Sequence, residues 1–85
     1  MLYLAECGYE YESKGVHKIC RSLAEAEDAL RNLVSTRSYL GRETEEEYAI
    51  RRNFTIVAME INDDKTYGYW WGEWKDGKLV FDKAP

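Results

Sequence analysis

Residues 22–34 read Ser22-Leu23-Ala24-Glu25-Ala26-Glu27-Asp28-Ala29-Leu30-Arg31-Asn32-Leu33-Val34, and they decide the fold class. Ser22 and Glu25 are spaced as a capping box, in which a hydroxyl and a carboxylate reciprocally satisfy the free backbone N–H groups of a helix start. Leu23, Ala26, Leu30, Leu33 and Val34 then recur at helical spacing, while Glu25, Asp28, Arg31 and Asn32 occupy the other side. This is an amphipathic helix with one apolar stripe, and such a stripe needs a sheet or a second helix to cover it. Gly41 ends the helix or the loop after it, and Thr44-Glu45-Glu46-Glu47 is a second capping box that opens a short helix through about Arg52.

The flanking sequence supplies strands. On the N-terminal side, residues 2–11 alternate, with Tyr3, Ala5, Cys7, Tyr9 and Tyr11 on one side and Leu2, Leu4, Glu6, Gly8 and Glu10 on the other. Glu12-Ser13-Lys14-Gly15 then reads as a turn closed by a left-handed glycine, which folds Val16 to Arg21 back as a second strand. This spacing sets Cys20 opposite Cys7 or Gly8, so the two sulfurs are expected to be near neighbours. On the C-terminal side, Phe54 to Ile61 is a continuous apolar, β-branched run suited to a central strand. Asn62-Asp63-Asp64-Lys65 is a turn into an aromatic strand, and Lys75-Asp76-Gly77-Lys78 is a hairpin turn before Leu79-Val80-Phe81. The order ββααβββ predicts one α+β domain over residues 1–85. Its antiparallel sheet of four to five strands carries one main amphipathic helix and a second short helix on one face.

A chain of 85 residues buries only about two thirds of its unfolded surface, which leaves little room for a large enzyme cleft. Its 45% apolar and 33% charged residues are those of a globular protein. A net charge of −4 opposes attraction to phosphate backbones or anionic membranes and favours a basic or neutral protein partner. No apolar run is long enough to span a bilayer, and Glu6 interrupts the opening residues before a signal-peptide core forms, so a cytoplasmic protein with reduced Cys7 and Cys20 is expected.

Several pieces of the first sixty residues carry a resemblance: Leu2-Tyr3-Leu4, Glu10-Tyr11-Glu12, Val16-His17-Lys18-Ile19 and Ser22-Leu23-Ala24-Glu25-Ala26-Glu27. In these the chain resembles a loose group of small, often phage-encoded α+β proteins. They open with a Tyr-Leu strand followed by Glu and Tyr, and continue through a second strand into Ser-x-x-Glu-Ala and a short amphipathic helix. The group has no assigned activity, so the resemblance implies a fold and a phage origin and transfers no functional residue. The aromatic C-terminal segment lies outside it.

That segment, Thr66 to Trp74, holds all three tryptophans and two of the seven tyrosines within nine residues. Alternation sets Tyr67, Tyr69, Trp71 and Glu73 on one face and Gly68, Trp70, Gly72 and Trp74 on the other. One set is expected to be core and the other to face a partner, with Tyr3, Tyr9 and Tyr11 adding rings to the same sheet. Gly68 and Gly72 lie inside a strand pattern, where they admit a neighbouring ring rather than cradle a phosphate. The expected binding residues are therefore Tyr67, Tyr69, Trp70, Trp71 and Trp74. To these are added Glu45 and Glu46 of the acidic run Glu43, Glu45, Glu46 and Glu47, whose ordinary role is to complement a helix dipole.

Catalytic and metal readings find less support. Cys7, His17 and Cys20 fall short of the four ligands of a structural zinc site, and a Cys/His pair lacks any signature of an orienting group. Arg51 and Arg52 can pair with the neighbouring acids, with Glu60 or with a ligand phosphate. Glu10, Glu12 or Glu60 as an acid or base requires a desolvated pocket. The expectation is a non-catalytic protein-binding module without a cofactor, a phage accessory protein that inhibits a host or antiviral-defence enzyme, with a homodimer through the aromatic face as another occupant. A single-stranded nucleic-acid or nucleotide binder is the alternative, weakened by the net negative charge and because the basic residues nearest the aromatic segment, Lys65, Lys75 and Lys78, lie at turns.

Overall fold

The computed structural model describes residues 1–9, 14–63 and 65–85. Glu10, Tyr11, Glu12, Ser13 and Asp64, expected in the first strand and in two turns, lie outside the described residues. The elements are β1 (Leu2–Tyr9), β2 (Gly15–Cys20), α1 (Leu23–Leu40), α2 (Glu45–Ile50), β3 (Arg52–Met59), β4 (Thr66–Lys75) and β5 (Lys78–Lys83). They form a five-stranded sheet in the order β2-β1-β3-β4-β5, antiparallel at every ladder. The α+β architecture expected from the sequence is the one observed.

Both helices pack on one side of this sheet. From α1 the buried residues are Ala26, Ala29, Leu30, Leu33, Val34 and Ser38, and from α2 Tyr48 and Ala49. They meet Ala5 of β1, Cys20 of β2, Phe54 and Ile56 of β3 and Leu79 of β5, with Tyr3, Cys7, Trp70, Trp74 and Phe81 packed around them. Gly68 and Gly72 make room for this layer. A Cβ at Gly68 would stand 2.5 Å from the Trp70 ring, and one at Gly72 2.7 Å from the Phe81 ring, so the two glycines let large rings lie flat against the strand. Arg31 crosses from α1 to donate through Nε to the Leu79 carbonyl oxygen at 3.0 Å, holding the β5 edge under the helix.

Two local features differ from the sequence reading. At the start of α1 the Glu25 amide donates to Ser22 Oγ, but Glu25 Oε2 accepts from the amide of Arg21 rather than of Ser22, so the box closes one residue further out. The reciprocal box at Thr44 and Glu47 is complete. Gly41 ends α1 as expected, as its C-cap at φ −85°, and Arg42, at φ 57°, takes the left-handed turn after it. The Glu43 amide donates to the Ser38 carbonyl and the Arg42 amide to the Tyr39 carbonyl, which is the Schellman pattern with an arginine where glycine is usual.

The second difference is the register of β1 on β2. Their ladder runs from Tyr3↔Cys20 to Cys7↔Gly15, with a bulge between Ala5 and Glu6. Gly15 has no positive φ and opens β2 instead of closing a turn. Cys20 consequently lies beside Tyr3, not beside Cys7 or Gly8. The turn between β4 and β5 is the two-residue one its Asp-Gly pair demands, with Asp76 at φ 50° and Gly77 at φ 78° between Lys75↔Lys78.

Leu30 is fully buried in the layer between α1 and the sheet. Leu30→Ala should therefore cost about 2–5 kcal/mol, and an unchanged melting temperature would show that this helix face is not the core. Arg42→Gly should have the opposite effect. Removing a Cβ from the left-handed region relieves roughly 1 kcal/mol, or about 4–8 °C in Tm for a domain of this size, whereas Arg42→Ala should give no such gain. Equal Tm values for the two variants would refute strain at this position.

Candidate docking face

Residues opposite one another on antiparallel strands project to the same side, so the ladders define rows across the face that the helices leave bare. One row is Ile19, Leu4, Val57 and Tyr69, and the next is Val16, Glu6, Thr55, Trp71 and Asp82. Leu2, Met59 and Thr66 continue it at one end, Glu73 and Val80 at the other. Ile19 is 58% exposed, Val16 51% and Trp71 47%, while Leu4, Val57 and Tyr69 are half-buried between them. Tyr39, Leu40, Ile50 and Ile61 are also exposed but sit at the ends of α1 and α2 and after β3, whereas the row residues adjoin one another on four neighbouring strands.

The centre of this face is an aromatic pair. Tyr69 and Trp71 meet edge to face with ring centroids 5.3 Å apart at 68°. Lys14, just before β2, reaches over them: its Nζ donates to the Tyr69 hydroxyl at 2.9 Å and lies 4.9 Å from the Trp71 ring centroid. Thr55, in the same row as Trp71, is fully buried and satisfies its hydroxyl by donating to Glu6 Oε1 at 3.0 Å. On the far side Lys75 bridges Asp82 at 3.2 Å and Glu73 at 3.5 Å. The hydrogen bond to Asp82, and then the attraction of both carboxylates, raises the Lys75 pKa.

The expected binding residues divide between the two sides. Tyr69 and Trp71 are on the bare face. Tyr67 falls at a bulge between Ala58↔Gly68 and Met59↔Thr66, is exposed, and donates its hydroxyl to Asp63 of the preceding turn. Trp70 and Trp74 belong to the helix side, where Trp70 contacts Tyr3 at a centroid distance of 6.0 Å. Tyr3 and Tyr9 are on that side too, so they add no ring to the face of Tyr69 and Trp71. Glu45 and Glu46 are exposed in the first turn of α2, away from the aromatic pair. Beside them, hydrogen bonds from the Thr44 backbone and side chain lower the Glu47 pKa.

On the helix side, Cys7, His17, Arg37, Glu43, Tyr48 and Arg52 line part of an open cleft of about 550 Å³. Arg52 does not reach the acids proposed as its partners. Its guanidinium stacks 3.6 Å from the Tyr48 ring centroid and 4.6 Å from that of Tyr9, and donates to the Tyr48 carbonyl and the Tyr9 hydroxyl. Burial raises the Cys7 pKa more than Arg52 and Arg37 lower it, so the thiol is protonated at neutral pH. Among the described residues no three His, Cys, Asp or Glu side chains converge as a metal set. Glu60 is exposed and lies 3.8 Å from the N-terminal amine.

Lys14 is the residue of this face that sequence reasoning passed over, because its partner Tyr69 is 55 positions away. The apolar stripe of exposed Ile19 with half-buried Leu4 and Val57 follows from the register and not from the sequence pattern. No protein-family model, curated protein or solved structure matches the chain. Among the described residues no helix is long and apolar enough to cross a membrane.

Tyr3 and Cys7 are four residues apart on β1, so Cys20 stands about 13 Å from Cys7 along the strand, far beyond the reach of a disulfide. Titration of denatured, unreduced protein should find both thiols free. A disulfide-linked monomer would contradict the register.

Proposed function

We propose that this protein is a non-catalytic binding module that docks a protein partner on the helix-free face of its sheet. The observation that carries the reading is the continuous apolar surface of Ile19, Leu4, Val57 and Tyr69 with the exposed Trp71 beside it. Exposed contiguous apolar surface on a small protein marks an interface, and Trp and Tyr are the usual energetic anchors of one. The small size, the acidic charge and the resemblance of residues 1–60 to phage-encoded proteins support a more specific role as an accessory protein that blocks a host or antiviral-defence enzyme in the cytoplasm. A second copy of the chain is the competing occupant of the same face. Single-stranded nucleic acid is disfavoured, since Glu73 and Asp82 stand beside Trp71 and engage Lys75.

Two double variants separate binding from folding. Tyr69→Ala with Trp71→Ala should leave the domain folded and weaken capture of its partner from the natural host by at least about 2 kcal/mol, roughly thirtyfold. Trp70→Ala with Trp74→Ala should lower stability by about 3 kcal/mol or more. A folded Tyr69/Trp71 variant that captures the partner as well as the parent would place the interface elsewhere. Sedimentation of the parent identifies the second-copy case as a dimer that this variant dissolves.

A further inference from the structure

The Trp71–Tyr69 pair holds a cation of the chain's own, and this contact identifies the chemistry of the partner. An aromatic face attracts an ammonium or guanidinium through its quadrupole, and Lys14 Nζ sits 4.9 Å and 5.6 Å from the centroids of Trp71 and Tyr69. The surroundings favour a cation as well. Glu6 and Asp82 share the row of Trp71, and Glu73 is two residues along the strand on the same side. Against these three carboxylates the described strand residues of the face offer Lys75, bound to Glu73 and Asp82, and Lys78 opposite it at the hairpin end, with Lys14 itself over the rings. When Lys14 swings away, the rings and the acids are left with an unmet preference for positive charge.

We propose that the Trp71–Tyr69 pair is a docking site for a lysine or arginine side chain of a partner protein, and that Lys14 is a built-in competitor for it. This rests on the docking-face reading above and names the chemistry of the partner. The partner presents a basic side chain within an otherwise apolar or neutral surface: the cation displaces Lys14 over Trp71, and the apolar part covers Val57, Leu4 and Ile19. The net charge of −4 draws the same class of partner from a distance. Lys14 then sets a threshold, because a neutral surface gains nothing from displacing it while a basic one replaces the contact it breaks.

The test uses the full chain and two peptides, acetyl-Gly-Arg-Gly-Arg-Gly-amide and its citrulline counterpart, which keeps the shape and removes the charge. Binding is followed by the Trp71 indole N–H resonance, identified by its loss in Trp71→Phe. Lys14→Ala should bind the arginine peptide about two- to fivefold more tightly than the parent, as expected when a solvent-exposed cation–π competitor is removed. The citrulline peptide should show no such gain. Lys83→Ala makes the same charge change on the helix side of the sheet and should leave affinity unchanged. The proposal is overturned if Lys14→Ala binds no more tightly, if Lys83→Ala tightens binding equally, or if citrulline matches arginine. Any of these outcomes, together with loss of partner capture in the folded Tyr69/Trp71 variant, would remove the cation site and leave the docking face standing.

Discussion

Helices cover only one face of the sheet, and the rest of the structure follows from that asymmetry. α1 has 18 residues and α2 has six. At ~1.5 Å per residue α1 is about 27 Å long, enough to run across one side of a five-stranded sheet whose strands are ~4.8 Å apart. The described residues contain no further helix for the reverse side. One strand sequence must therefore meet a packed helix layer on one side and solvent on the other. β4 does this by alternation, directing Trp70 and Trp74 to the helix layer and Tyr69 and Trp71 to the bare face.

Much of this was legible because local chemistry and global fold agree. The Leu23–Val34 periodicity, the Thr44–Glu47 box, the apolar run at Phe54 and the Asp76-Gly77 turn each specify their own geometry within a few residues. What escaped the sequence depends on geometry set elsewhere. The β1–β2 register includes a bulge between Ala5 and Glu6 that no local pattern marks, and Gly15, read as the close of a turn, is the first residue of β2. At the end of α1, Gly41 is the C-cap that the sequence marks, but nothing local marks Arg42 for the left-handed position that follows.

The candidate site was half legible for a related reason. Alternation separates the two aromatic sets but is symmetric, and it does not say which set meets the helices. The glycines break the symmetry physically. Gly68 and Gly72 share a face with Trp70, Trp74 and Phe81, and a face built from glycines and large rings is one in which rings lie flat under another layer. The opposite face of β4, with Tyr69, Trp71 and Glu73, has no such hollows and ends in a charged residue. Lys14 was illegible because its contact with the pair spans the sheet, from the edge of β2 across β1 and β3 to β4.

On the proposed function, the division of β4 also makes folding and recognition nearly independent. Trp70 and Trp74 enter the core, so their replacement is felt by the whole domain. Tyr69 and Trp71 rest on Val57 and Thr55 and leave part of their surface in water, so their replacement is felt chiefly by whatever covers them. Charge follows the same division. Lys75, Glu73 and Asp82 compensate one another at the rim of the bare face, while Glu45 and Glu46 serve the start of α2 on the helix side. A long-range field from the net acidic chain guides an approaching surface without contributing much to its grip, because exposed charges are screened within about 8–10 Å. On the proposed docking, the grip would come from apolar burial over Val57 and Leu4 and from a cation that replaces Lys14 above Trp71. Selectivity would then be set by the few side chains that surround one indole ring.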